Sequence, residues 1–163
     1  MDGTKPLGDL PDRARIWIYQ TARALSDQEI TAIDQELTSF CASWQAHGKH
    51  VYAAGAVIDA HFIVIGADED VAAVTGCSID SSVTFVKMLG KRYDRDFFDR
   101  TSVAVRSDLG IRFTDFRSLA DDLEMSADST IYDNTVKTVG EWRQAWIKPA
   151  SESWLSRFLP SKV

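Results

Sequence analysis

The amino-acid sequence predicts an α+β fold in a single domain, and three observations support this prediction. The chain has 163 residues, 45% of them hydrophobic and 26% charged, as expected for one globular domain that buries its own core. Several short segments are rich in β-branched residues or have apolar residues at alternate positions, which indicates strands. Two longer segments have apolar residues at every third or fourth position, which indicates helices.

The chain begins with a segment that predicts no regular structure. Residues 1–12 are polar and interrupted by glycine and proline, so we expect an N-terminal arm there and the domain itself over 13–163. The next segment, 15–19, carries apolar side chains on both faces. This pattern predicts a first strand that is buried or covered on both sides.

A helix and a hairpin are expected next. Ser26 and Glu29 have the spacing of a capping box, in which each side chain satisfies a free N–H group at a helix start. The apolar stripe that follows continues to about Trp44, which sets the expected end of the helix. Segments 51–57 and 61–65 are rich in β-branched residues and predict a pair of antiparallel strands.

A helix and a hairpin are also predicted in the second half of the chain. A second helix is expected to open at Ser78 and to end within 91–93. Later segments predict, in order, two strands of a hairpin, a short helix and a last strand, at 101–105, 111–113, 118–123 and 131–132. The resulting core order is β-α-β-β-α-β-β. Its first six elements match the split βαβ, or ferredoxin-like, arrangement, in which the helices lie over one face of a sheet.

A helical tail is predicted over 139–159. It contains Trp142, Trp146 and Trp154, three of the five tryptophans. Its acidic and basic residues are mixed, whereas a helix that lies on a membrane is rich in lysine and arginine. We therefore expect the tail to pack on its own subunit or on a neighbouring one, which leaves homo-oligomerisation through the tail open.

Composition and motifs exclude several classes of function. The net charge of −6 and pI of about 5.0 oppose binding to nucleic acid or to an anionic membrane. The P-loop, GxGxxG, HExxH and GxSxG motifs are missing, and the two cysteines form no CxxC pair. The acidic segment 94–100 lacks the glycine and glutamate of an EF-hand and predicts a structural turn. We expect no metal, no cofactor and, without a signal peptide or membrane span, a cytoplasmic protein.

The most chemically suggestive segment is 76–82, Gly-Cys-Ser-Ile-Asp-Ser-Ser, at the predicted start of the second helix. A helix N-terminus lowers the pKa of a nearby thiol such as that of Cys77, whereas the carboxylate of Asp80 would raise it. Two interpretations stay open. In one, Cys77 fills space and Ser78 caps the helix; in the other, Cys77 is a nucleophile. A catalytic site would use Asp80 or His47, expected at the end of the first helix, as the base, and the Ser78 N–H as oxyanion donor.

Several blocks of this sequence resemble a family of small uncharacterised bacterial proteins. They are Arg-Ile-Trp-Ile-Tyr-Gln at 15–20, 44–48, Gly-Cys-Ser-Ile-Asp-Ser-Ser-Val at 76–83, Asp-Phe-Phe-Asp-Arg at 96–100, 133–138, and Ser-Trp with Arg-Phe within 153–158. Members of that family are often labelled "ABC transporter ATPase". This chain has neither a P-loop nor an LSGGQ-like signature, so the resemblance implies a family and no ATPase activity.

The resembling blocks contain polar residues that core packing alone does not require. The candidates for ligand or partner binding are Ser78, Ser81, Asp99, Arg100, Asn134, Lys137, Trp154 and Arg157. If they converge, they form one polar pocket or one binding face. The first hypothesis is a non-catalytic domain that binds a partner protein or a small anionic ligand near the start of the second helix. The alternative is a small enzyme that uses Cys77 as nucleophile.

Overall fold

A computed structural model describes residues 7–70 and 73–160. It contains three α-helices, α1 (Asp27–Ser43), α2 (Gly76–Tyr93) and α3 (Val139–Ala145). Nine strands are β1 (Arg15–Gln20), β2 (Gln45–Ala46), β3 (Lys49–His50), β4 (Tyr52–Ile58), β5 (Phe62–Asp68), β6 (Ser102–Ser107), β7 (Gly110–Asp115), β8 (Thr130–Tyr132) and β9 (Ile147–Pro149). Short 3-10 helices span Phe116–Asp121, Ala150–Glu152 and Trp154–Phe158.

The first sheet is antiparallel, with strand order β1-β5-β4. Every residue of β5 is buried, as its nearly continuous apolar sequence predicts for a central strand. Ile18 of β1 lies opposite Val64 of β5, and Val57 of β4 lies opposite Ile63. The sheet therefore has two outer edges, one on β4 and one on β1.

The second sheet has the order β7-β6-β8-β9, and β2 and β3 form a separate small hairpin. A ferredoxin-like fold would place the strand after α2 beside β1. Here that strand, β6, pairs with β7 through a tight turn at Gly110 and with β8 through Val105 and Ile131. The mixed α and β fold is confirmed, and the ferredoxin-like topology is not confirmed, because β6 belongs to the second sheet.

The two sheets and the helices form layers. On one face of the first sheet, α1 and α2 pack side chains such as Leu37 and Leu89 against Ile63. On the other face, Phe62 contacts Tyr132 of β8 and Trp146, with ring centroids 4.7 and 4.9 Å apart. A third apolar cluster, with Leu119, Ile131 and Leu155, covers the far side of the second sheet. Most of the core thus lies against the first sheet.

The start of α1 follows the sequence pattern closely. Ser26 is the N-cap, its hydroxyl accepts from the Glu29 N–H, and the Glu29 carboxylate accepts from the Ser26 N–H. This capping box is confirmed. The predicted N-terminal arm lies partly outside the described residues; within the described part, Leu7 and Leu10 are buried in the core.

Three expectations about the elements need correction. The N-cap of α2 is Thr75 and not Ser78, because the Thr75 hydroxyl accepts the free Ser78 N–H and lets the helix begin at Gly76. The tail 139–159 is not helical throughout, because Ile147 pairs with Tyr132 and makes residues 147–149 a strand. His47 is not at the end of α1, which stops at Ser43; it lies in the turn between β2 and β3.

Candidate functional site

Cys77 lies in the first turn of α2 and is exposed, as are Asp80 and His47. His47 has a φ of 52° in a two-residue hairpin turn with Gly48, whose φ is 76°. Within residues 7–70 and 73–160, no hydrogen bond joins Cys77 to His47 or to Asp80. The three predicted catalytic side chains are thus exposed, and no contact holds them in a catalytic arrangement.

Ser78 is buried and fully engaged in structural contacts. Its N–H and hydroxyl are hydrogen-bonded to the Thr75 hydroxyl, and its hydroxyl donates to the Gln45 carbonyl at 2.9 Å. Its own carbonyl accepts from Trp44 Nε1 at 3.0 Å. Because the Ser78 N–H is used in capping, it is not free to act as an oxyanion donor. Ser81 is exposed and donates to the Cys77 carbonyl at 3.0 Å.

A cavity of about 740 Å³ lies at the edge of β1, a volume within the usual range for small-ligand sites. Consecutive residues of β1, from Ile16 to Gln20, line it, so the strand presents its edge to the cavity and not one face. The remaining walls come from α2, the segment 97–103, the segment 134–137 and the 3-10 helix that begins at Trp154.

The backbone of β1 leaves two residues unpaired at this edge. The Ile16 N–H points away from β5 and donates to the Lys137 carbonyl at 3.1 Å, whereas the Thr21 N–H points toward β5 and donates to the His61 carbonyl. Since backbone groups of a strand alternate in direction, the N–H and C=O groups of Ile18 and Gln20 also point away from β5. Among the described residues none of these groups has a hydrogen-bond partner.

A chain of partly buried hydrogen bonds forms one end of the cavity. Trp146 Nε1 donates to Asn134 Oδ1 at 2.9 Å, and Asn134 Nδ2 donates to Gln20 Oε1 at 2.9 Å. Gln20 Nε2 in turn donates to the Ser102 carbonyl at 2.6 Å. Because Gln20 belongs to the first sheet and Ser102 to the second, this chain ties the two sheets together beside the cavity.

Asp99 is the one carboxylate among the cavity-lining residues that the structure describes. It accepts from the Ser102 hydroxyl at 2.7 Å and from the N–H and hydroxyl of Thr101 at 2.8 and 2.7 Å. These hydrogen bonds hold the pKa of the Asp99 carboxyl below its usual value, and the bond from the Ser102 hydroxyl contributes most. Asp99 therefore stabilises the turn into β6, and its carboxylate oxygens are largely occupied by these hydrogen bonds.

Three cationic side chains line the same cavity. Lys87, Arg100 and Lys137 are exposed, and no ion pair to any of them occurs in the part of the chain that the structure describes. The Lys87 ammonium lies 5.8 Å from the centre of the Phe98 ring. Burial raises the pKa of the Tyr19 hydroxyl, and the Ser82 hydroxyl and the Arg100 charge oppose this shift. The cavity is therefore locally positive in an acidic protein.

The structure brings together five of the eight residues predicted to bind a ligand or partner: Asp99, Arg100, Asn134, Lys137 and Trp154. The other three, Ser78, Ser81 and Arg157, do not line the cavity. Sequence reasoning missed Lys87, Tyr19 and Gln20. Lys87 follows Ile79 and Val83 at helical spacing, so the signal for a shared face was present, but a single lysine on α2 suggested only a solvated side chain.

Comparisons with known protein families, with curated proteins and with solved structures find no match to this chain. Over residues 7–70 and 73–160, no group of three or more histidine, cysteine or acidic side chains is arranged to hold a metal ion. None of the helices described here has the length and apolar character needed to cross a membrane.

Proposed function

We propose that this protein is a non-catalytic binding domain whose site is the cavity at the β1 edge. Its ligand would combine an apolar body with a negatively charged group. The observation that carries the proposal is the set of three cations, Lys87, Arg100 and Lys137, around a cavity lined mainly by apolar and aromatic side chains. None of the three forms an ion pair within residues 7–70 and 73–160. Such a combination of apolar walls and a few polar groups is typical of ligand sites.

The proposed binding site lies slightly away from the start of α2. Ile79 and Val83 of α2 line the cavity, whereas Cys77 and the histidines do not. The proposal treats β1, α1, β4, β5 and α2 as a split βαβ unit whose fourth strand position, beside β1, is the ligand site. The cysteine-dependent enzyme remains an alternative proposal, supported by the exposure of the Cys77 thiol.

The first test uses two fluorescent dyes of similar shape. Anilinonaphthalene sulfonate carries an anionic group, and N-phenylnaphthylamine is neutral. We expect the sulfonate dye to bind with the lower Kd, because only this dye meets the cations. Changing Lys87, Arg100 or Lys137 singly to alanine should weaken its binding about two- to fivefold, the range for loss of one exposed charge contact.

Lys91→Ala is the matched control. Lys91 lies one turn after Lys87 on α2, is exposed and does not line the cavity. We expect this variant to bind both dyes like the parent protein. Equal Kd values for the parent and for the variant lacking all three cations would refute the proposed site.

A further inference from the structure

We infer that the occupant of this cavity is an extended acidic peptide segment of a partner protein, which adds as a strand to the open edge of β1. The inference rests on the proposed function and names the class of ligand. Strand addition is a common mode of peptide recognition, in which main-chain hydrogen bonds bind the peptide and its alternate side chains give specificity.

The two edges of the first sheet differ in how they are protected. On β4, α1 packs alongside and the Asp34 carboxylate accepts the Val57 N–H at 2.8 Å. On β1, the N–H and C=O groups of Ile18 and Gln20 have no partner among the described residues, and a ligand with matching groups would satisfy them. Because α1 packs against β4 whereas a cavity lies at β1, we expect a peptide at the β1 edge.

The length of the open edge limits what binds there. At one end, the Ile16 N–H is used by the Lys137 carbonyl; at the other, the Gln20 side chain, but not its backbone, is hydrogen-bonded to the Ser102 carbonyl. The free stretch is thus Trp17 to Gln20, which offers main-chain hydrogen bonds through Ile18 and Gln20. Such a short pairing needs additional side-chain contacts to give useful affinity.

Those contacts are available on both sides of the edge. A peptide strand beside β1 would point alternate side chains toward Tyr19 and α2, and toward Ile18 and Trp154. Lys87, Arg100 and Lys137 provide complementary charge for acidic side chains, and they disfavour a basic peptide. We therefore expect the bound segment to be extended and acidic, with apolar residues among the acids.

The probe is an acetylated pentapeptide of alternating glutamate and valine with an amidated C-terminus. Its binding to the protein is measured by calorimetry and by two-dimensional NMR. Two other peptides and one protein variant are measured in the same way for comparison. One peptide replaces glutamate with lysine. A second keeps the glutamates but has its internal amide nitrogens methylated, which removes its main-chain donors. We expect the acidic peptide to bind, to shift the Ile18 amide resonance, and to lose about tenfold in affinity when methylated.

The third comparison is the variant Ile18→Pro, which lacks one of the two N–H groups of β1 that face away from β5 and have no partner among the described residues. That N–H takes no part in the pairing with β5, and proline is tolerated at an outward-facing edge position. Ile18→Val keeps the N–H and is the matched control. We expect peptide binding to weaken in Ile18→Pro and to be unchanged in Ile18→Val, while both variants still bind anilinonaphthalene sulfonate.

Two results would overturn the strand-addition inference. One is no binding of the acidic peptide to a protein that binds the sulfonate dye, which leaves a small organic anion as the ligand class. The other is equal binding of the acidic peptide and its methylated form, which means that main-chain pairing contributes nothing. Failure of the dye to bind would instead refute the proposed site itself.

Discussion

The variant Asn134→Ala tests whether the wall of the cavity is held by its hydrogen-bond chain. The change removes two hydrogen bonds, one from Trp146 Nε1 and one to Gln20 Oε1, each 2.9 Å long. Trp146 and Gln20 are buried, with 4% and 7% of their surface exposed, so water does not readily replace the lost partner. A buried donor left without a partner costs about 1–3 kcal/mol, and the second lost bond adds about 1 kcal/mol.

We therefore expect Asn134→Ala to lower the free energy of unfolding by about 2–4 kcal/mol, measured by urea denaturation. Trp146→Phe removes the same donor, so in a double-mutant cycle the two changes should be clearly non-additive. Lys137→Ala, on an exposed neighbour, serves as a control and should change stability by less than about 0.5 kcal/mol. A loss below about 0.5 kcal/mol in Asn134→Ala, or strict additivity in the cycle, would show that the chain does not support the wall.

Three further predictions follow from burial and charge. Burial raises the pKa of the Cys41 thiol to about 12, so iodoacetamide at pH 8 should modify only Cys77 in the folded protein, and mass spectrometry should find one adduct and not two. Trp142 Nε1 is buried and has no hydrogen-bond partner among residues 7–70 and 73–160, so Trp142→Phe should cost less unfolding free energy than the same change at Trp146. Burial raises the pKa of the Asp133 carboxyl, but hydrogen bonds from Thr135 and Lys148 together outweigh this and lower it below its usual value. The destabilisation caused by Asp133→Asn should therefore be full at neutral pH and shrink as pH falls below about 4, as urea denaturation at several pH values would measure.

The parts of the fold that were predictable from sequence depend on local interactions. The capping box of Ser26 and Glu29 involves residues three positions apart, and its pattern is specific enough to place the start of α1. The strand β9 depends instead on pairing between Ile147 and Tyr132, which are distant in sequence. A three-residue strand has too little periodicity to reveal such a partner, so a helical tail was expected there.

The choice of sheet for β6 illustrates the same limit. Its alternating sequence predicts a strand but does not say which strand lies beside it. The Gly110 turn pairs it with β7, and burial of Val105 against Ile131 brings in β8, so the place beside β1 is not taken by β6. The cavity occupies this place. Sequence reasoning could select polar residues that line it, but it could not show that an edge of β1 stays open.

The open edge of β1 is also a surface on which a second copy of the protein could pair, unless neighbouring side chains protect it. Exposed strand edges are templates for association, and proteins protect them with bulky or charged neighbours. Trp154 lines the cavity with 37% of its surface exposed and contacts Phe116, with ring centroids 5.4 Å apart. We interpret this aromatic side chain as steric protection of the β1 edge against the edge of another sheet.

Because Trp154 protects the β1 edge in this interpretation, we expect Trp154→Ala to increase concentration-dependent self-association, measured by sedimentation velocity. Arg157→Ala, on the same 3-10 helix but outside the cavity, should behave like the parent protein. Adding Ile18→Pro to Trp154→Ala removes one of the two outward-facing N–H groups that an incoming edge would use, so the double variant should self-associate less than Trp154→Ala. Unchanged sedimentation of Trp154→Ala would mean that the tryptophan does not protect the edge. Self-association that is undiminished by Ile18→Pro would mean that the copies associate through another surface, because this change removes a central main-chain donor of the β1 edge.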